Sequence, residues 1–192
     1  MPERVQKGQG TMRAFTFENA TKIYFGGGCV KEHLLEAVKP YGETVMLAYG
    51  GGSIKTNGIY QEVMDVLKLA GKQVIEFSGI MPNPTYSKVM EGKKVVQENQ
   101  VDLILAVGGG SVMDCSKAIS MAAATDKDVW EEYWIKKGEI DFEPVPVGVI
   151  VTVVGTGSEV NGEGVITHEE QKIKTSRNYP RCNPVFAMMD PK

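Results

Sequence analysis

The sequence predicts a doubly wound α/β fold: a mostly parallel sheet with helices on both faces and a β-hairpin near the carboxyl end. Three observations carry that expectation. Short apolar runs alternate with stretches of helical period, the pattern of βαβ units. Residues 103–107 (LILAV) are apolar without interruption, as parallel strands covered on both faces are. Glycine-rich turns follow three of the runs, each where a strand would end.

Taken in order, the first twelve residues (MPERVQKGQGTM) are polar and aperiodic and read as a disordered leader. The fold is expected to begin near Phe15 and to occupy 13–192 as one domain. Lys22-Ile23-Tyr24-Phe25 is a short strand ending in a plain turn at Gly26-Gly27-Gly28. Residues 44–49 (TVMLAY) form the next strand. Ile59, Val63, Val66, Leu67 and Ala70 then share one face of a helix, which Gly71 is placed to end. Residues 74–77 are a strand and Pro82-Asn83-Pro84 a rigid loop. A helix with Tyr86, Val89, Met90 and Val96 inward precedes the strand 103–107. A further helix turns Val112, Cys115, Ile119 and Ala122 to one side. A charged loop holding Trp130 and Trp134 leads to the strand 147–151. Short β-type pieces near 164–167, 172–175 and 185–189 complete the chain.

Composition excludes several classes of function. With 21 basic and 24 acidic residues the net charge is −3, the wrong sign for a basic nucleic-acid surface. No apolar run approaches the roughly 18 residues of a membrane span. Three cysteines without a C-x-x-C pair, Cys29, Cys115 and Cys182, suit packing in a reducing, cytoplasmic setting. Glycine is in excess, 22 of 192 residues, or about 11% against a usual ~7%.

Much of that excess is ordered. Gly50-Gly51-Gly52-Ser53 and Gly108-Gly109-Gly110-Ser111 repeat one motif at equivalent strand ends, and Gly155-Thr156-Gly157-Ser158-Glu159 follows the strand 147–151. Glycine lets backbone approach a phosphate closely. Bare N–H groups and a helix N-terminus then face the anion. Ligands of open α/β sheets bind outside the carboxyl ends of the strands, so three such loops on one rim point to a large phosphorylated ligand. The G-x-G-x-x-G fingerprint and the Gly-Lys-Ser/Thr of a Walker loop are both absent.

With Tyr49-Gly50-Gly51-Gly52-Ser53, Pro82-Asn83-Pro84, Gly108-Gly109-Gly110-Ser111-Val112-Met113-Asp114 and Gly155-Thr156-Gly157-Ser158-Glu159 in this order, the chain resembles the iron-containing (group III) alcohol dehydrogenases. The likeness is strongest to their NADPH-dependent butanol dehydrogenase and aldehyde reductase branch, from about Phe15 to Lys192. The resemblance implies a Rossmann-like cofactor domain in which Gly109, Gly110 and Ser111 hold the pyrophosphate. It assigns Asn83, Thr152 and Thr156 to the cofactor as well. Asp114 is either a cofactor-side residue or a first-turn acid favoured by the helix dipole. Lys174 is either a lysine that reaches the cofactor or a solvated hairpin lysine. Val153-Val154-Gly155 departs from the family's usual Leu-Pro-Ala type of run.

Members of the family that favour NAD carry Asp where this chain has Gly51 or Gly52, so the resemblance implies NADP(H) and leaves Gly50, Gly51, Gly52 and Ser53 facing the ribose phosphate. It also implies a small alcohol or aldehyde substrate polarised by divalent iron or zinc. The ligands for that metal, one Asp and three His, belong to a helical domain after an Asp-Pro segment, which here resembles Asp190-Pro191. His33 and His168, the two histidines, read as surface residues, so no metal or catalytic residue is assigned. A shortened chain, a proteolysed species and a split gene product all account for that pattern. Each would be inactive alone, with apolar surface free to drive homo-oligomer formation. Two other readings stay open: a dehydroquinate synthase- or glycerol dehydrogenase-like enzyme, and a non-catalytic nucleotide-binding or assembly module.

Overall fold

The computed structural model describes residues 18–191, so the expected leader 1–12 and the onset near Phe15 lie outside the described residues. Six strands form one parallel sheet: β1 (Lys22–Phe25), β2 (Thr44–Tyr49), β3 (Gln73–Phe77), β4 (Leu103–Gly108), β5 (Val147–Val151) and β8 (Phe186–Met189). Their order is β1-β8-β5-β4-β2-β3, and every neighbouring pair is parallel. The chain moves from β2 outward to β3, then returns to the other side of β2 for β4 and continues to β5. The connections leaving β2 and β4 therefore diverge, and a crevice opens between their carboxyl ends. That reversal is the switch point at which sheets of this kind bind ligands.

Side-chain alternation distributes the apolar residues to two layers. Val45, Leu47 and Tyr49 of β2, with Leu103, Leu105 and Val107 of β4, pack in the layer that contains α1 (Cys29–Val38) and α3 (Ile59–Leu69). Met46, Ala48, Ile104 and Ala106 pack in the layer of α4 (Tyr86–Glu98) and α5 (Gly110–Ala123). A short helix, α2 (Ser53–Thr56), follows the first glycine turn directly. The antiparallel hairpin β6 (Glu163–His168) and β7 (Ile173–Asn178) lies outside the sheet and is tied to the 82–85 loop by Thr167 N–H donating to Pro84 O at 2.9 Å. All three cysteines are free and buried, in keeping with packing roles.

Three expectations need correction. Met90 is 37% exposed, and α4 buries Val89, Gly92 and Val96 instead. The segment holding Trp130 and Trp134 is a wide helical turn, Trp130–Ile135, with both indoles buried. Their N–H groups donate to Gln171 Oε1 at 2.8 Å and Gly164 O at 3.3 Å, so the hairpin lies over a segment whose charged residues mask its apolar side in sequence. His168 is not a free surface residue: its ring packs against both Tyr86 and Trp130, with centroids 5.1 and 5.0 Å away. His33 is partly exposed and stacks on Tyr24 at 4.8 Å.

Candidate functional site

The three glycine turns leave β2, β4 and β5 on one rim, because Tyr49 is level with Val107 and Gly108 with Val151. Gly109 precedes α5 and has no side chain to cap it, so the first N–H groups of that 14-residue helix, at Gly110 and Ser111, lack intrahelical acceptors. A Cβ on Gly110 would stand 2.8 Å from Thr156 Cγ2, so the third turn sits directly against the start of α5 and needs glycine there.

Here the structure opens a cleft of about 170 Å³ and brings Asn83, Gly110, Ser111, Asp114, Thr156 and Lys174 to its wall, beside Pro84 and Val165. Asn83 adopts a left-handed backbone (φ 56°) and its Oδ1 accepts from Lys174 Nζ at 2.6 Å. Gly50, Gly51, Gly52 and Ser53 lie on the far side of the switch point, at the end of β2. A Cβ at Gly51 or Gly52 would meet nothing within 4 Å. Thr152 stands apart: it is exposed, outside the cleft wall, and its N–H extends the sheet by donating to Gly108 O at 3.0 Å.

Asp114 is not a first-turn acid, being the fifth residue of α5. Its Oδ1 accepts from Ser158 Oγ at 2.6 Å and its Oδ2 from Val165 N–H at 3.2 Å. Burial pushes the carboxyl up from its ordinary range, against those hydrogen bonds and the nearby Lys117 charge. Lys117 itself escaped the sequence reading. It is 2% exposed, and its Nζ donates to Ser158 Oγ at 2.7 Å, Asn161 O at 2.9 Å and Glu163 O at 2.8 Å. Burial lowers its pKa to about 8, with Asp114 the leading opposing influence. The available signal was the near absence of charge on α5, which marks a helix covered on most sides.

A second polar cluster borders the first glycine turn. Glu76 on β3 accepts from Tyr49 Oη at 2.5 Å, Tyr60 Oη at 2.7 Å and Lys55 Nζ at 3.3 Å. The hydrogen bond from Tyr49, then that from Tyr60, holds the Glu76 carboxyl below its usual range. Both carboxylate oxygens are thus engaged by the protein.

A nicotinamide cofactor fits this rim by the chemistry of its donors: bare glycine backbone, an uncapped helix start, and hydroxyl, amide and ammonium groups around one cleft. The metal that the resemblance implies does not fit. Among the described residues no group of three or more His, Cys, Asp or Glu could hold an ion. Among the same residues no helix is long and apolar enough to cross a membrane.

Comparison with known proteins agrees with this geometry. A probable NADH-dependent butanol dehydrogenase of Bacillus subtilis is 44% identical over 180 residues, 94% of this chain and 46% of that protein. The NADPH-dependent aldehyde reductase YqhD of Escherichia coli is 38% identical, again over 94% of this chain and 46% of its own length. The crystal structure of an NADH-dependent butanol dehydrogenase A from Thermotoga maritima superposes with a TM-score of 0.88 at 40% identity, covering 94% of this chain and 45% of that one. The chain thus spans about half the length of these relatives. The family model for iron-containing alcohol dehydrogenase matches residues 20–191, and the chain belongs to that family.

Proposed function

We propose that this chain is the cofactor-binding part, residues 13–192, of an NADP(H)-dependent alcohol dehydrogenase or aldehyde reductase acting between a primary alcohol and its aldehyde. The observation that carries the cofactor choice is the open backbone at Gly51 and Gly52, with no side chain and no carboxylate in the turn. A selecting acid beside the ribose would repel a 2′-phosphate. Glu76 is the nearby candidate for such an acid, and its oxygens are taken up by Tyr49, Tyr60 and Lys55.

The bound cofactor supplies the hydride. The chain's own residues bind and orient it. Gly109, Gly110 and Ser111 present N–H groups to the pyrophosphate, Thr156 closes the cleft from the third turn, and Asn83 with Lys174 forms the opposite wall. On this reading the chain alone binds cofactor without turning over substrate, and metal-dependent reduction of an aldehyde by the chain alone would overturn that part of it. Its free, buried cysteines support a reducing, cytoplasmic setting. Exposed Ile23, Phe25, Val153 and Val154 support self-association, which sedimentation would test.

The names of the Bacillus subtilis and Thermotoga maritima relatives favour a second reading, NADH. Titrating NADPH and NADH against the same preparation decides between them, with the ratio of dissociation constants as the readout. Tighter NADPH binding, shifted toward NADH by Gly51→Asp or Gly52→Asp, supports the first reading. A ratio favouring NADH in the unaltered chain overturns it.

A further inference from the structure

Lys117 is a charged side chain buried under the rim with no ligand role of its own. Its Nζ meets four acceptors: Ser158 Oγ, Asn161 O, Glu163 O, and Asn161 Oδ1 at 3.3 Å. An ammonium has three donors and no acceptor, so this surrounding suits the charged form. A neutral amine would offer two donors and turn a lone pair toward oxygen. Those acceptors belong to the third glycine turn and to the chain entering the hairpin. The contacts then run upward to the cleft. Ser158 Oγ donates to Asp114 on the same helix as Lys117, and Ser158 N–H donates to Thr156 Oγ1 at 3.3 Å. Thr156 in turn packs against Gly110 at the start of α5.

We propose that Lys117 is a positioning residue for the cofactor rim: its ammonium fastens the 155–161 turn and the start of β6 onto α5, and cofactor affinity falls when that fastening is released. The inference rests on the cofactor reading of the same rim. The groups facing Lys117 are Asp114 on α5, Glu159 on the 158–160 turn, Glu163 on β6 and Cys182 on the 180–182 turn. Burial pushes the Cys182 thiol up to about 12, so it keeps its proton while Lys117 titrates near 8. Burial keeps the pKa of the fastened ammonium below that of a solvated lysine, so a released turn takes up a proton and raising the pH does not by itself release it; the fastening is tested by substitution.

The test is equilibrium binding of NADPH and of NADH to this chain and to Lys117→Met at about pH 7, with amide hydrogen exchange of residues 155–161 followed in the cofactor-free proteins. Lys117→Met is expected to bind about tenfold more weakly. Exchange in the turn is expected to rise in the variant while the central strands stay protected. A folded Lys117→Met with wild-type affinity overturns the inference, as does unchanged turn protection in that variant. Should Lys117→Met fail to fold, Lys117→Gln, which keeps two donors, is read in its place with the same outcomes. A wild type that binds neither cofactor overturns the cofactor reading and this inference with it, whereas binding without Lys117 dependence overturns the inference alone.

Discussion

Lys174 on β7 donates to Asn83 Oδ1 at 2.6 Å, joining residues 91 positions apart across the mouth of the cleft. The bond uses one of the three donors of the ammonium and leaves two for a ligand. Lys174→Ala is expected to weaken cofactor binding by roughly three- to tenfold, the loss of about one charge-assisted hydrogen bond. The pair is exposed, so the melting temperature is expected to move little. Fluorescence titration beside a thermal melt reads both, and a large melting shift with unchanged affinity would reverse the assignment.

Gly110 and Thr156 bring two of the glycine turns into direct steric contact, with 2.8 Å between a Cβ at Gly110 and Thr156 Cγ2. Gly110→Ala is expected to destabilise by about 1–3 kcal/mol through overpacking. Adding Thr156→Ala removes the colliding methyl, so the double variant is expected to regain most of that stability. Affinity is expected to recover less, because the proposed cofactor position also brings it close to Gly110. A double-mutant cycle on stability and on binding separates the two effects.

Lys117 also gives the stability of the fold a pH dependence. Burial holds the folded-state pKa of Lys117 at about 8, below its value in the unfolded chain. The unfolded chain therefore holds more protons between about 8 and the ordinary lysine value of about 10.4, and stability rises with pH across that window. This contribution is complete above the unfolded value and is lost as pH falls through about 8. Subtracting the Lys117→Met unfolding free energy from that of the wild type isolates it. The difference is expected to grow in favour of the wild type from about pH 8 upward.

Gly148 on β5 is level with Phe186 on β8, and a Cβ there would come within 2.2 Å of the ring's Cζ. The ring is buried and rigid, so Gly148→Ala is expected to cost at least about 1–3 kcal/mol. For a domain of this size each kcal/mol lowers Tm by roughly 2–4 °C, which calorimetry resolves. Gly148→Ala combined with Phe186→Leu is expected to recover part of the loss.

The amino-acid sequence by itself determined the order of strands and helices, the placement of glycine turns at three strand ends, and the family resemblance. Those features are local: apolar period, turn chemistry and contiguous motifs carry them without reference to distant residues. The tertiary structure decided which loops share a rim, because strand order places β4 between β2 and β5. It also decided that Asn83 and Lys174 meet, that His168 packs against Tyr86 and Trp130, and that Lys117 is buried. Each of these depends on partners tens of residues away. For Lys117 the reason is direct: a lysine reads as a surface residue until the chain folds four acceptors around its ammonium.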